Sequence, residues 1–426
     1  MLILYTMFFY ILQPVIWIRL WFRGRKVVSY RKRWAERYGF CTGKVHKNGI
    51  LLHAVSLGET IAAIPLIQEL KNRYPHLPIV ITTMTPTGSA FAKSEFGSTV
   101  SHVYLPYDLP RAMNRFLNTI KPILVIIMER ELWPNMITIL HNRKIPLIIA
   151  NARLSERSAK NYQLFGRCIK ILLQRISLIA AQSQEDSQHF IKLGAKNSQI
   201  VVTGNLKFDI NISPKIIENA IQLRLQWIRK NRPIWIAAST HRGEEKIILS
   251  AHCKLLKNFP DLLLILAPRH PERSNIISRL VQKKQLKYLL RSSKEIPTVK
   301  TQVIIEDTTG KLMLLYAVSD LAFIGGSLVK IGGHNPLEPA AHAIPILMGS
   351  HTFNFKDICN SLHHSNGLIT ITNTESLYKE ITTLLTDSNY RLHCGQQALH
   401  VFNKNKGALE RLLNAIEPYF PKRQIK

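Results

Sequence analysis

Ile50-Leu-Leu-His-Ala-Val-Ser-Leu-Gly-Glu-Thr60 opens as a short, mainly apolar run and closes on a polar turn. From Thr60 to Arg73 apolar residues recur at helical spacing, so the segment predicts strand, tight turn, helix. Glu59 then falls in the first turn of the helix. There free backbone N–H groups and the positive end of the macrodipole favour the charged form, and an ionised carboxylate is expected, able to take a proton at neutral pH. A phosphate-binding loop is the rival reading. The turn has one glycine, Gly58, and a glutamate that repels phosphate, so it matches neither G-x-G-x-x-G nor a P-loop. Ser56 and Glu59 also spell a capping box, Ser-x-x-Glu, which is the plainer reading of this segment taken alone.

The same alternation continues outward from Glu59. Strands are predicted at Ile50 to Val55, Pro78 to Thr83, Ile123 to Met128, Ile145 to Ala150, Leu178 to Ala181 and Ile200 to Thr203. A second series follows at Ile234 to Ala238, Leu262 to Ala267, Gln302 to Ile305, Leu321 to Ile324, Ile344 to Met348 and Leu368 to Ile371. Helical stretches separate most of these runs, the pattern of α/β parallel sheets covered on both faces, and two series predict two doubly wound domains. The break is expected between Lys207 and Pro233, where a polar, turn-prone stretch precedes a helix from Ile217 to Arg229. Ligands of open α/β sheets bind beyond the carboxyl ends of the strands, so two facing domains are expected to share a cleft.

Composition limits the partners. The chain of 426 residues carries a formal net charge of +30, which calls for an anionic partner. Between Arg19 and Lys47 stand ten Lys or Arg, Lys44 among them, against one acid, Glu36, and the preceding Met1 to Ile18 has no charged side chain. That uncharged run, extended by Leu20 to Phe22, is about the length that crosses a hydrocarbon core of roughly 30 Å. Basic residues follow it rather than precede it and no small-residue cleavage site is present, so a retained membrane anchor is expected, with the body on the cytoplasmic side. Pro14 keeps an interfacial helix open as well. Five cysteines without a C-x-x-C pair argue against disulfides and thiolate metal sites.

Four segments after strands carry candidate chemistry. Glu129 and Glu131 follow the strand ending at Met128; if the extended backbone persists, both carboxylates face one side and bind an acceptor, whereas Arg130 between them allows structural ion pairs instead. Phe323-Ile-Gly-Gly-Ser-Leu328 ends a strand in a turn, and Gly332-Gly-His-Asn-Pro-Leu-Glu-Pro-Ala340 opens a helix with Asn335 suited to the N-cap and Pro336 to the first position. The two glycines let a phosphate approach bare N–H groups, and Glu338 is placed to accept from ribose hydroxyls; a simple turn and cap is the alternative. Arg269 in Ala-Pro-Arg-His-Pro271 offers a bidentate fork, and Lys207 a cation for a departing phosphate. Asp-x-Asp, H-E-x-x-H, Walker A and G-x-S-x-G motifs are all missing, which removes support for metal-dependent nucleotide-sugar transfer, zinc hydrolysis, NTPase and serine hydrolase chemistry.

These segments resemble the Kdo transferases, the membrane-bound 3-deoxy-D-manno-oct-2-ulosonic acid transferases of Gram-negative lipopolysaccharide assembly. The likeness runs along essentially the whole chain: Tyr30-Arg-Lys-Arg-Trp-Ala-Glu-Arg-Tyr-Gly39, Ser56-Leu-Gly-Glu-Thr60, Thr82-Thr-Met-Thr-Pro-Thr-Gly88, Glu131-Leu-Trp-Pro-Asn135, Asn151-Ala-Arg-Leu-Ser155, Gly204-Asn-Leu-Lys207, Ala267-Pro-Arg-His-Pro-Glu-Arg273 and Gly333-His-Asn-Pro-Leu-Glu-Pro-Ala340. The resemblance implies a GT-B architecture of two Rossmann-like domains facing a cleft. Its parts are a membrane anchor at 1–22, a basic segment at 23–48, an acceptor domain at 49–207, a CMP-Kdo domain at 208–405 and a C-terminal helix and tail at 406–426. It implies inverting, metal-independent transfer of Kdo from CMP-Kdo to a lipid A precursor, lipid IVA, at the inner membrane with its anionic lipids, and no cofactor. By match, Glu59 is the general base, and Glu129 and Lys207 stabilise the transition state. Pro268 and Arg269, Thr309, Gly310 and Lys311, and Asn335, Pro336, Leu337 and Glu338 contact CMP. Two positions depart from the expected pattern: Arg130 stands in place of a small Thr, and Lys311 in place of an acid.

Another membrane-associated GT-B enzyme with a different nucleotide sugar is the nearest rival. A basic, membrane-tethered nucleic-acid-binding protein explains charge and anchor without catalysis, yet the chain has no recognisable nucleic-acid module, and no nucleic-acid partner is expected.

Overall fold

The computed structural model describes residues 2–41, 45–210, 212–227 and 232–420. Met1, Lys44, Asn211 of the polar stretch, the end of the helix expected at Arg229 and the tail after Phe420 lie outside the described residues. The chain divides into two compact units, one formed by the residues up to Asp209 together with those from Lys406 onward, the other by Ile210–Asn405.

The first unit holds a parallel sheet of β1 (Ile50–His53), β2 (Ile79–Thr83), β3 (Ser101–Tyr104), β4 (Leu124–Met128), β5 (Leu147–Ala152), β6 (Leu178–Ala181) and β7 (Ile200–Val202), in the order β3-β2-β1-β4-β5-β6-β7. Successive residues of β1 enter opposite cores: Ile50 and Leu52 pack with Leu66 and Leu70, while Leu51 packs with Phe116 and Ile137. Burial on both faces explains why the interior strands read as continuous apolar runs rather than alternating ones. The helix Ala408–Ile416 returns from the far end of the chain to the first of these cores through Leu412, Leu413 and Ile416.

The second unit repeats the pattern with β8 (Ile234–Thr240), β9 (Leu263–Pro268), β10 (Tyr288–Leu290), β11 (Val303–Ile305), β12 (Leu321–Ile324), β13 (Ile346–Met348) and β14 (Leu368–Thr370), in the order β10-β11-β9-β8-β12-β13-β14. Trp235, Leu264, Leu266 and Phe323 fill one face of it. Strand order reverses direction between β1 and β4 in the first sheet and between β8 and β12 in the second. Such reversals open a crevice at the carboxyl ends of the flanking strands, because the connections leave on opposite faces. Two strands lack a counterpart among the predicted runs, Ser101–Tyr104 and Tyr288–Leu290, and both lie at a sheet edge.

The uncharged N-terminal run forms two helices, Leu2–Ile11 and Gln13–Lys26, rather than one. Pro14, in the first turn of the second, has no N–H to continue the first helix's ladder, and the pair is bent by 47° at the break. Among the described residues no single helix is long and apolar enough to cross a membrane. The pair is also tied to the first unit. Thr6 Oγ1 donates to Asn135 Oδ1 at 3.1 Å, Tyr38 Oη donates to Gln13 Oε1 at 2.7 Å, and Leu20 packs with Tyr107, Leu109 and Ala112. Ile3, Leu4, Met7, Phe8, Ile11 and Ile18 remain exposed.

Candidate active site

Glu59 and Glu129 flank the switch point of the first sheet, Glu59 six residues after β1 and Glu129 immediately after β4. Glu59 stands in the first turn of the helix Leu57–Arg73. Its Oε2 accepts from the backbone N–H of Val55 at 2.5 Å, while Ser56 at the N-cap makes no side-chain cap bond. Only the glutamate half of the expected capping box is therefore formed. The expectation that the helix terminus favours the charged form of Glu59 is corrected too. Burial, then the neighbouring Glu129, push its pKa up to about 7 against the N–H bonds from Val55 and Ser56, with Glu131 adding to the rise. A helix N-terminus contributes roughly 0.3–1 kcal/mol to an anion, too little to offset desolvation beside two like charges.

The backbone does not stay extended beyond β4. Glu129 has φ 62°, a left-handed turn, so Glu129 and Glu131 are not residues of one strand face. The turn is pinned by Glu129 N–H donating to Ala150 O at 2.9 Å. It aims the Glu129 carboxylate at Lys207, whose Nζ lies 3.5 Å from Oε1. Glu131 is half-buried; burial raises its pKa, Arg130 opposes that, and Glu129 reinforces it. Trp133 packs edge-on against the fully buried His53 at 6.2 Å, holding the acid loop on the strand ends.

Lys207 lies in a short 3-10 turn, Leu206–Phe208, fixed from several sides. Its own N–H donates to Asn205 Oδ1, and Leu206 N–H donates to Asn151 Oδ1, both at 3.0 Å. Asn151 is fully buried with φ 55°, a conformation that asparagine tolerates better than most residues. On the far side, Asp209 accepts from the N–H groups of Gly407 and Leu409 at 2.6 and 2.5 Å, and Arg411 Nε donates to Thr203 O at 2.7 Å. The C-terminal helix thus braces the loop that carries Lys207. Asn151, Asp209 and Arg411 were not singled out as site residues by sequence reasoning; only Asn151 stood in a quoted motif.

In the second unit, the residues beyond β8, β9 and β12 converge. Pro268 ends β9 and Arg269 follows it, exposed, its N–H on Thr240 O at 3.1 Å. His241 Nε2 and His334 Nε2 are 2.8 Å apart, one imidazole donating to the other. Burial lowers both pKa values, His334 to about 4, and His270 and Arg269 lower each of them further. The imidazoles are therefore neutral, and the positive potential that suits an anion here comes from the arginines, Arg269 and Arg273, beside them. Asn335 Oδ1 accepts from Leu337 N–H at 3.1 Å, and its Nδ2 donates to Glu338 Oε1 at 3.3 Å; burial raises the Glu338 pKa. The helix starts at Leu337 with Pro336 as its N-cap, one residue later than expected. Thr309, Gly310 and Lys311 form an exposed turn after β11, where Gly310 takes φ 76°.

The bare amides expected around the glycine pairs are not bare. Gly332 and Gly333 N–H both donate to Gly326 O, at 3.1 and 2.8 Å. The N–H groups of Gly326, Ser327 and Leu328 donate to the carboxylate of Glu244 at 2.8, 3.1 and 3.0 Å, and His241 N–H donates to it at 2.8 Å. A buried side-chain anion therefore fills the cradle that a phosphate would otherwise occupy. Gly325 is required at the crossing, since a Cβ there would stand 2.4 Å from Ser239 O. Among the described residues no cluster of His, Cys, Asp or Glu could hold a metal ion.

Residues 32–210 match the family model described as 3-deoxy-D-manno-octulosonic-acid transferase (kdotransferase). Over 418 residues the chain is 46% identical to a 3-deoxy-D-manno-octulosonic acid transferase of Haemophilus influenzae, covering 97% of this chain and 98% of that protein. It is 31% identical over 429 residues to one of Bordetella pertussis, covering 97% and 98%. Among solved structures, UDP-GlcNAc 2-epimerase from Neisseria meningitidis superposes with a TM-score of 0.56 at 15% identity, covering 86% of this chain and 100% of that one. A glycosyltransferase from Rickettsia africae gives 0.54 at 15% identity, covering 88% and 98%. At such identity these two share the fold alone.

Proposed function

This chain belongs to the 3-deoxy-D-manno-octulosonic acid (Kdo) transferases, and on that premise we propose that it transfers Kdo from CMP-Kdo to lipid IVA, releasing CMP, in lipopolysaccharide assembly. The observation that carries the mechanism is a half-buried Glu59 carboxylate whose pKa sits at about 7 beside the Glu129–Lys207 pair. A base of that pKa is half ionised near neutrality and still basic enough to take a hydroxyl proton as the bond forms.

The acceptor hydroxyl oxygen attacks the anomeric carbon of Kdo while its proton passes to Glu59. The bond from that carbon to the phosphate oxygen breaks, its electron pair leaves with CMP, and the configuration inverts. Glu129 holds Lys207 in place, and the two stabilise the charge developing in the transition state. Pro268 and Arg269, the Thr309–Lys311 turn and the Asn335–Glu338 segment bind CMP, with Arg269 offsetting the phosphate charge. Fixed cations do here what a divalent metal does in other nucleotide-sugar transferases, within a GT-B framework.

The exposed apolar side chains of the N-terminal helix pair, followed by Arg19, Arg23 and Arg25, seat the protein on the cytoplasmic face of the inner membrane. The 47° bend and the ties to Asn135 and Tyr38 favour a pair lying in the interface over a straight span. Incubating purified protein with lipid IVA and CMP-Kdo, and separately with UDP-sugars, tests the assignment by mass spectrometry. A mass gain of one or more Kdo residues with CMP-Kdo alone is expected; transfer only from a UDP-sugar contradicts it.

A further inference from the structure

The turn between the helices Glu156–Gln163 and Gly166–Gln174 presents Leu164 and Phe165 to solvent, 84% and 53% exposed. Two large apolar side chains side by side at an apex are costly in water, and Ile171 on the helix that follows remains exposed too. The apex is well formed. Phe165 N–H donates to Tyr162 O at 3.0 Å, Cys168 N–H donates to Phe165 O at 3.1 Å, and Gly166 turns the chain with φ 46°. Beside it lies an open groove of about 680 Å³ whose lining includes Arg167, Lys170, Gln174 and Lys192 and no carboxylate. An apolar apex next to fixed cations matches one chemistry, a surface with anionic headgroups above hydrocarbon.

Its place in the first unit points the same way. Tyr162, at the base of the apex, lies within the electrostatic reach of Glu131 and Arg130, so the turn stands beside the acid loop. The helix Gly166–Gln174 packs on Pro134–Asn142, which packs on the N-terminal helix Leu2–Ile11. Arg175 Nη1 donates to Thr138 Oγ1 of the middle helix at 2.7 Å, and Thr6 reaches Asn135 one turn earlier on it. The three helices pack in succession, and exposed apolar side chains stand on the first helix and at the start of the last.

We propose that the Leu164–Phe165 apex and the cations Arg167, Lys170 and Lys192 form a second membrane contact. The two apolar side chains sit below the headgroups of an anionic bilayer, and the cations meet its phosphodiesters. The inference rests on the preceding reading only in taking the acceptor to be a membrane lipid. Contact through the apex, beside that of the N-terminal helix pair, holds the acid loop at the bilayer surface, where a lipid headgroup meets it.

The test uses the full chain and vesicles of phosphatidylethanolamine with phosphatidylglycerol, co-sedimented without donor. Leu164→Ser with Phe165→Ser lowers the partition coefficient about tenfold, from the lost burial of two large side chains. Arg167→Gln with Lys170→Gln and Lys192→Gln lowers it and flattens its salt dependence. Transfer to acceptor embedded in the vesicles falls in parallel, and transfer to detergent-dispersed acceptor is unchanged. Vesicle binding equal to wild type in both variants overturns the proposal. So does a wild-type dimer that becomes monomeric in the Leu164/Phe165 variant, which makes a second copy the occupant. Because vesicle binding is read without donor, protein that binds through the apex yet transfers no Kdo contradicts the enzymatic reading and leaves this one standing.

Discussion

Lys207 and Glu129 meet at 3.5 Å although the strands that precede them, β7 and β4, are separated by β5 and β6. Neighbouring strands lie about 4.8 Å apart, so side chains leaving β4 and β7 straight ahead stand roughly 14 Å from each other. The gap closes because Glu129 turns left-handed and because Asn151, in the irregular last residues of β5, holds Leu206 N–H and draws the loop inward. The ion pair is thus a product of two unusual backbone positions and one buried amide.

Asn151 is accordingly a positioning residue. Asn151→Ala is expected to lower kcat about tenfold or more through misplacement of Lys207, with KM for CMP-Kdo little changed. A loss confined to KM, with kcat as in wild type, counts against it. Asn151→Gly, which keeps the backbone conformation but not the hydrogen bond, separates the side chain's part from the turn's.

The ionisation of Glu59 gives a pH signature. The base must be unprotonated, so the transfer rate rises with pH and levels off above a midpoint near 7. Glu129 is one cause of the raised value, and removing its charge eases ionisation of Glu59. In Glu129→Gln the midpoint therefore moves to lower pH while the plateau rate falls. A pH–rate profile of both proteins reads this; an unmoved midpoint contradicts the coupling.

Glu244 makes the glycine turn a structural cradle. It accepts from four backbone N–H groups and is fully buried. Glu244→Gln sets an amide N–H₂ against those donors and is expected to cost about 1–3 kcal/mol, with CMP binding weakened in proportion. Thermal unfolding with and without CMP measures both, and an unshifted Tm contradicts the assignment.

What was legible in the sequence depended on range. The interior strands of both sheets are buried on two faces and announce themselves as apolar runs, and Glu59 is legible because strand, turn and helix adjoin it directly. The edge strand Ser101-His-Val-Tyr104 opens on two polar, half-buried residues, and Tyr288-Leu-Leu290 is three half-buried residues; neither gives a run. The raised pKa of Glu59 is not legible locally, because its burial and the charge of Glu129, 70 positions on, arrive only with the fold. Nothing local in Gly326 to Leu328 tells that the carboxylate of Glu244, 82 to 84 positions away, takes their amides. Nothing local in Ala408–Ile416 tells that it packs under the Lys207 loop.

Replacing one carboxylate oxygen tests the base most directly. Glu59→Gln, followed by mass spectrometry of products from CMP-Kdo and lipid IVA under single-turnover conditions, is expected to lose about 10²–10⁴-fold in transfer rate while CMP binds as in wild type. Transfer at a rate close to wild type contradicts the assignment of Glu59 as the residue that takes the acceptor's proton.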